Sequence, residues 1–295
     1  MNAIAKVGAF AGAVVALGGL GSAVGASVGP LGEPESHPEH AAEKSTHGGH
    51  AGHGAAEPAA TGLEVSEAGY TLDLAEDRYQ RTADATLRFR ILGVDDEPVT
   101  RFETAHGKKL HLIVVRRDLA TFQHVHPVMA ADGTWSVGAD LAEAGTYRVF
   151  ADFRPAAADD GLTLGQDLFV GGPYEPQPLP AAASTSTISP YQVDLDGQLV
   201  AGKTSRLTLT VTRDGEPVTD LEPYLEAYGH LVALRDGDLA YLHVHPEGAP
   251  GDGRTEPGPE ITFSAEVPSA GTYRLFLDFQ HAGEVRTAAF TAEAH

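Results

Sequence analysis

The strongest constraint on this chain is that much of it is written twice. PVTRFE at 98–103 returns as PVTDLE at 217–222, and HLIVVRRDLATFQHVHP at 111–127 returns without a gap as HLVALRDGDLAYLHVHP at 230–246, offset by 119. AGTYRVFADF at 144–153 returns as AGTYRLFLDF at 270–279, offset by 126, so the second copy carries a loop seven residues longer after its HxHP. Three segments matched in one order imply two homologous domains, assigned to 63–172 and 191–295, with a Pro/Ser/Thr linker at 173–190.

Within each copy the apolar period is two. Leu87, Phe89 and Ile91 alternate with Arg88 and Arg90, and Leu207, Leu209 and Val211 alternate with Thr208, Thr210 and Thr212. That pattern describes strands with one buried and one wet face. Turn signals recur between the runs (Asp95-Asp96-Glu97-Pro98, Asp132-Gly133, Asp214-Gly215), and 34 Gly with 19 Pro argue against a helical bundle. The expected fold is all-β, two tandem immunoglobulin-like sandwiches. Ala144-Gly145-Thr146-Tyr147 and Ala270-Gly271-Thr272-Tyr273 resemble the tyrosine corner of such domains, with Val149 or Leu275 where antibody domains carry a cysteine. The chain has no cysteine at all, which removes disulfides, thiolate metal sites and cysteine nucleophiles together.

Ahead of the repeats, residues 7–26 carry no charge, with Lys6 before them and Glu33, Glu35 and Glu39 after. Twenty such residues can span a bilayer core of ~30 Å, N-terminus inside. Six glycines leave a cleaved signal peptide as the rival, with Val24-Gly25-Ala26 an acceptable cleavage site. Residues 1–29 are thus a membrane anchor or signal peptide, and either reading places the rest outside the cytoplasm. Residues 30–62, rich in Pro, Glu, Gly, Ala and His, are expected to be a disordered acidic tether. Lys+Arg 20 against Asp+Glu 41 gives a net charge of −21, which disfavours nucleic acid and anionic lipid as partners and favours cations.

Fourteen histidines are the compositional anomaly. His111 opens one strand while His124 and His126 end the next; the second copy repeats them as His230, His243 and His245. An antiparallel hairpin through Arg117-Asp118-Leu119-Ala120 pairs residues summing to 237, so Ile113 faces His124 and His111 faces His126. Cross-strand neighbours lie ~5 Å apart and i, i+2 neighbours share a face, which brings all three imidazoles together. The same register pairs His230 with His245. An odd loop length would send His111 to the other face. Three imidazoles with an open position suit Zn(II), Cu(II) or Ni(II). The competing reading is scaffold, each ring bonding a nearby carbonyl. The matched pairs Tyr147/Tyr273 and Asp152/Asp278 read as scaffold, and the unmatched His106 and His281 are not expected to be essential ligands. In the tether, His37, His40, His47, His50 and His53 form a second candidate cluster that needs no fold.

An exported chain with sandwich repeats, HxHP hairpins and a His-rich tether resembles bacterial proteins of the YtkA-like and CopC-like type. The resemblance implies extracytoplasmic handling of copper or another heavy metal, with a divalent metal (Cu or Zn) as cofactor and a membrane metal transporter or surface protein as partner. With only Met1 and Met129, no methionine-rich Cu(I) site can be laid onto this chain. Two alternatives come from other classes. One is a non-catalytic Ig-like surface or interaction module. The other is a cupin-type metalloenzyme, which Gly237-x5-His243-x-His245 resembles, although Glu247 comes too early and Arg274 replaces the second-motif histidine. No GxSxG, HExxH or P-loop signature supports another enzyme. If the export reading holds, an alkaline phosphatase fusion after residue 62 is active; an inactive fusion contradicts it.

Overall fold

The structure is a computed structural model describing residues 60–295 except His243. The stretches expected to be an anchor or signal and most of the tether, with His37, His40, His47, His50 and His53, lie outside the described residues. Among the described residues no helix occurs, and so none is long and apolar enough to cross a membrane.

The first repeat contains β1 (Ser66–Glu67), β2 (Tyr70–Leu74), β3 (Arg78–Gln80), β4 (Thr82–Leu92), β5 (Leu110–Arg116), β6 (Phe122–Val125), β7 (Val128–Met129), β8 (Trp135–Leu141), β9 (Gly145–Phe153) and β10 (Leu162–Gly171). The second contains β11 (Thr185–Ile188), β12 (Tyr191–Asp196), β13 (Thr204–Arg213), β14 (Glu216–Pro217), β15 (His230–Arg235), β16 (Tyr241–Leu242), β17 (Val244–Pro246), β18 (Glu260–Glu266), β19 (Gly271–His281) and β20 (Glu284–Ala294). Each repeat is a two-sheet sandwich. The first packs β1-β2-β4-β8-β7 on β3-β10-β9-β5-β6; the second packs β11-β12-β13-β18-β17 on β16-β15-β19-β20, with β14 on the side of β13. β11 falls in the stretch expected to be linker, where Thr185, Ser186 and Thr187 pair with β12; Thr is a strand former, and the pairing extends the sheet edge.

The alternating residues behave as their period dictates. Leu87, Phe89 and Ile91 meet Trp135, Leu112, Val114 and Val149 in one core, while Leu207, Leu209 and Val211 meet Phe263, Leu275 and Leu277 in the other. Both tyrosine corners are present. The Tyr147 hydroxyl donates to the Glu143 carbonyl at 2.9 Å, and that of Tyr273 to the Ser269 carbonyl at 2.7 Å, closing the same turn before β9 and β19. The described residues are all-β and form two immunoglobulin-like sandwiches.

β5 departs from alternation: all seven of its residues are buried. Leu112 and Val114 face their own core, whereas Ile113 and Val115 join Phe150, Val232, Leu234, Tyr241 and Phe276 in a third cluster between the repeats. The inner sheets therefore pack outer face to outer face, and a strand buried on both sides reads as a continuous apolar run. The rings of Phe122 and Phe276 stack across this junction with centroids 4.0 Å apart. Thr61 exchanges backbone hydrogen bonds with Tyr241, and Gly62 donates to the Thr163 carbonyl, so the chain entering the first repeat is strapped to both. Phe276→Ala removes the centre of this junction. It is expected to cost about 3–5 kcal/mol, as buried Phe truncations do, measured by urea unfolding. A change under ~1 kcal/mol would show that the repeats do not rely on the third cluster.

Candidate metal centre

The hairpin that carries the first histidine set folds in the register expected from loop parity. Ile113 pairs with His124 and Leu112 with Val125. Because His111 and His124 face outward from their own core, they meet the second repeat. The ring centres of His111, His124 and His126 lie 5.3, 5.1 and 4.8 Å apart, and one ring nitrogen from each falls within 4.8 Å of the others. Two imidazoles sharing a tetrahedral ion at a metal–nitrogen distance of ~2.0–2.1 Å have ring centres about 5.2 Å apart, so the spacing is that of a coordinating set.

Hydrogen bonding decides which nitrogens are free. A carbonyl can only accept, so His111 carries its proton on Nε2, donated to Ala105 at 3.1 Å. His124 donates Nδ1–H to the Asp278 carboxylate at 2.9 Å. The remaining nitrogens, His111 Nδ1 and His124 Nε2, point at one another across 3.0 Å. Two lone pairs at that distance repel unless an electrophile, a proton or a metal ion, lies with them. His126 Nε2 is buried without a hydrogen-bond partner, a costly state for a polar atom. Outer nitrogens tied to a carbonyl and a carboxylate, with inner nitrogens converging, form the arrangement that orients histidine ligands in metal sites.

The second repeat contributes differently. His230 keeps the matched position on β15 and donates Nε2–H to the Leu225 carbonyl at 2.9 Å, as His111 does to Ala105. Its ring lies 6.4 Å from His111 and 6.3 Å from His124. Among the described residues the second hairpin holds the expected register at Ala233–Leu242 and Leu234–Tyr241; Val244 already pairs with Ala265 and His245 with Ser264, in the other sheet. His245 thus lies exposed on a different sheet from His230. The first hairpin does not change sheets until Val128, and that delay keeps His126 beside His124. His243 lies outside the described residues.

Two residues set aside on sequence grounds belong to the cluster. Asp278 lies opposite His230 on β19, is buried, and reaches the other repeat to hold His124 while also accepting from Thr287. His106 packs edge-on to His230 at 5.3 Å and His111 at 6.1 Å. Neither role is visible in the sequence, because both depend on the repeats docking. His281 lies elsewhere, bonded to Tyr191 and Asp220. His106, His111, His124, Asp152 and His230 wall a chamber of about 40 Å³ at the junction.

Burial governs the charge state. Desolvation, helped by neighbouring histidines, lowers His111 and His126 to about 3; desolvation first, then His106 and His124, lowers His230 to about 4 against its Leu225 hydrogen bond. All three are neutral at pH 7, as ligation requires. Unfolded, these groups take up protons below the ordinary 6.5; folded, they do not until pH 3–4. Their contribution to stability is therefore complete above pH 6.5 and lost as the pH falls toward 3–4. The melting temperature of the metal-free chain is expected to drop steeply between pH 6.5 and 4, and a flat profile there contradicts the burial argument.

The fold and site define a class: tandem immunoglobulin-like sandwiches with a histidine cluster at their junction. The chain belongs to the family described as Domain of unknown function (DUF8832), whose model matches residues 64–161 and 186–295. No curated protein matches it. Among solved structures it is similar to the adhesin InvE of Yersinia pseudotuberculosis (13% identity, TM-score 0.22, 78% of this chain and 60% of that one) and to the Escherichia coli adhesin FdeC (14%, TM-score 0.24, 77% and 64%). It is also similar to an alpha-2-macroglobulin of Salmonella (12%, TM-score 0.27, 80% and 15%). The chain spans less than two thirds of the length of each of these structures.

Proposed function

We propose that this chain is a non-catalytic, immunoglobulin-like module that holds a divalent transition metal ion, Cu(II) or Zn(II), on His111, His124 and His126. The observation that carries the reading is the convergence of three ring nitrogens within 4.8 Å of one another, two of the rings oriented by hydrogen bonds from their opposite side. Imidazole is a good ligand for both metals, and the chain offers no thiolate to compete. The size of the adjoining chamber supports binding over catalysis. About 40 Å³ takes a water or a small ligand, far below the ~300–1,000 Å³ of pockets that enclose organic substrates.

The ion's role follows from where the triad sits. His124 is tied to Asp278 of the other repeat, so an ion there holds the two sandwiches together as well as being held by them. The uncharged stretch at 7–26 supports export, and the histidines at 37–53 support a tether that raises the local metal concentration for the folded site. On this reading the partner is a membrane metal transporter or a surface protein that takes the ion or recognises the loaded pair. A second reading keeps the module and drops the ion, the third hydrophobic cluster alone fixing the two sandwiches as a rigid spacer.

Calorimetry separates the two readings, with the tether silenced by replacing His37, His40, His47, His50 and His53 by Ala in the full chain. The metal reading expects this protein to bind one equivalent of Cu(II) or Zn(II), and His126→Ala to weaken binding at least ~100-fold, beyond what loss of a supporting contact does. Binding unchanged in His126→Ala, or absent from the parent, leaves the spacer reading.

A further inference from the structure

With an ion bound, the triad would supply three corners of a tetrahedral site, and His230 of the second repeat lies beside it. If His230 were the fourth ligand, its ring would lie about 5.2 Å from the others; it lies 6.4 Å from His111 and 6.3 Å from His124. The excess of about 1 Å matches a single water between ion and ring, which gives separations of roughly 6–7 Å at ordinary coordination and hydrogen-bond lengths. The chamber walled by His106, His111, His124 and His230 has the volume for such a molecule.

We propose that the fourth position of the ion takes a small protic ligand, water or hydroxide in the resting state, held by Nδ1 of His230, so that the ligand site is built by both repeats. The inference rests on the triad being a metal site. His230 has committed its Nε2–H to Leu225, which leaves Nδ1 as an acceptor only. A molecule in the chamber must therefore offer a lone pair to the metal and an O–H or N–H to His230. Water, ammonia, hydroxylamine and hydroperoxide meet both demands within one or two heavy atoms. Azide and halide ions lack the proton and would face the lone pair of His230. The ring of His106, 5.3 Å from His230, lines the same chamber.

The test uses the tether-silenced full chain loaded with Cu(II), compared with its His230→Ala and His230→Asn variants. Pulsed EPR in D2O is expected to detect exchangeable deuterons of a coordinated water in the parent. His230→Ala should lose less than ~100-fold in copper affinity, as loss of a supporting contact does, and bind azide at least ~10-fold more tightly, since a hydrogen bond to the resident water is gone. His230→Asn, whose side-chain oxygen can replace Nδ1 as acceptor, should restore the parent's resistance to azide. Two results overturn the proposal while leaving the triad intact. One is loss of ~100-fold or more in copper affinity in His230→Ala with no coordinated water in the parent, which makes His230 a ligand. The other is azide affinity equal in parent and His230→Ala. A parent that takes up no copper overturns the triad reading itself, and this inference with it.

Discussion

Everything specific to this molecule depends on the burial of the outer face of β5. An ordinary sandwich leaves that face in water, and here Ile113 and Val115 are instead covered by Val232, Leu234 and Phe276 of the other repeat. Once the inner sheets are docked, every side chain on the same face of β5 and β15 is desolvated, whatever its polarity. His111 and His230 lie at the end of those strands, so the contact that removes Ile113 from water also removes the imidazoles. The repeat matters for the same reason: duplication supplies two matching faces, and the docking brings their histidines to one place.

Burying imidazoles without compensation is unfavourable, and the cluster is arranged to limit that cost. His111 and His230 each give their Nε2–H to a carbonyl of the preceding loop, and His124 gives its Nδ1–H to Asp278. Inward lie His126 Nε2, which has no hydrogen-bond partner, and the nitrogens of His111 and His124, which face one another at 3.0 Å. With the outer nitrogens tied, the inner ones converge on one point, where a proton or a metal ion would satisfy them. An ion at that point, as proposed, would be coupled to the junction through the hydrogen bond of His124 to Asp278. The acidic surface, with a net charge of −21, favours a cation's approach.

Much of this was legible in the sequence. The repeat fixed two domains, the period-two runs in β4 and β13 fixed which residues face the cores, and the loop parity between His111 and His124 fixed the pairing that brings the first histidine set together. The rest was hidden for physical reasons. Docking of the repeats left one trace, the unbroken apolar run of β5, which by itself is equally a strand inside one sandwich. His245 matches His126 by offset, yet the second hairpin moves to the opposite sheet by Val244, before its last histidine, and a gapless alignment carries no signal of where a strand changes partners. Asp278 reads as scaffold in the sequence because its contact with His124 crosses 154 residues to the other domain. His106, unmatched between the copies, gained its place from the same docking.

Above all else, we propose that His111, His124 and His126 together hold one ion. X-ray absorption at the metal edge of the Zn(II)-loaded, tether-silenced chain addresses it most directly, since imidazole rings give a scattering pattern that distinguishes them from water and carboxylate. Three imidazoles at ~2.0–2.1 Å and one oxygen ligand are expected. A shell of oxygen ligands with at most one imidazole would contradict it, and would return the histidine cluster to the role of buried scaffold between two sandwiches.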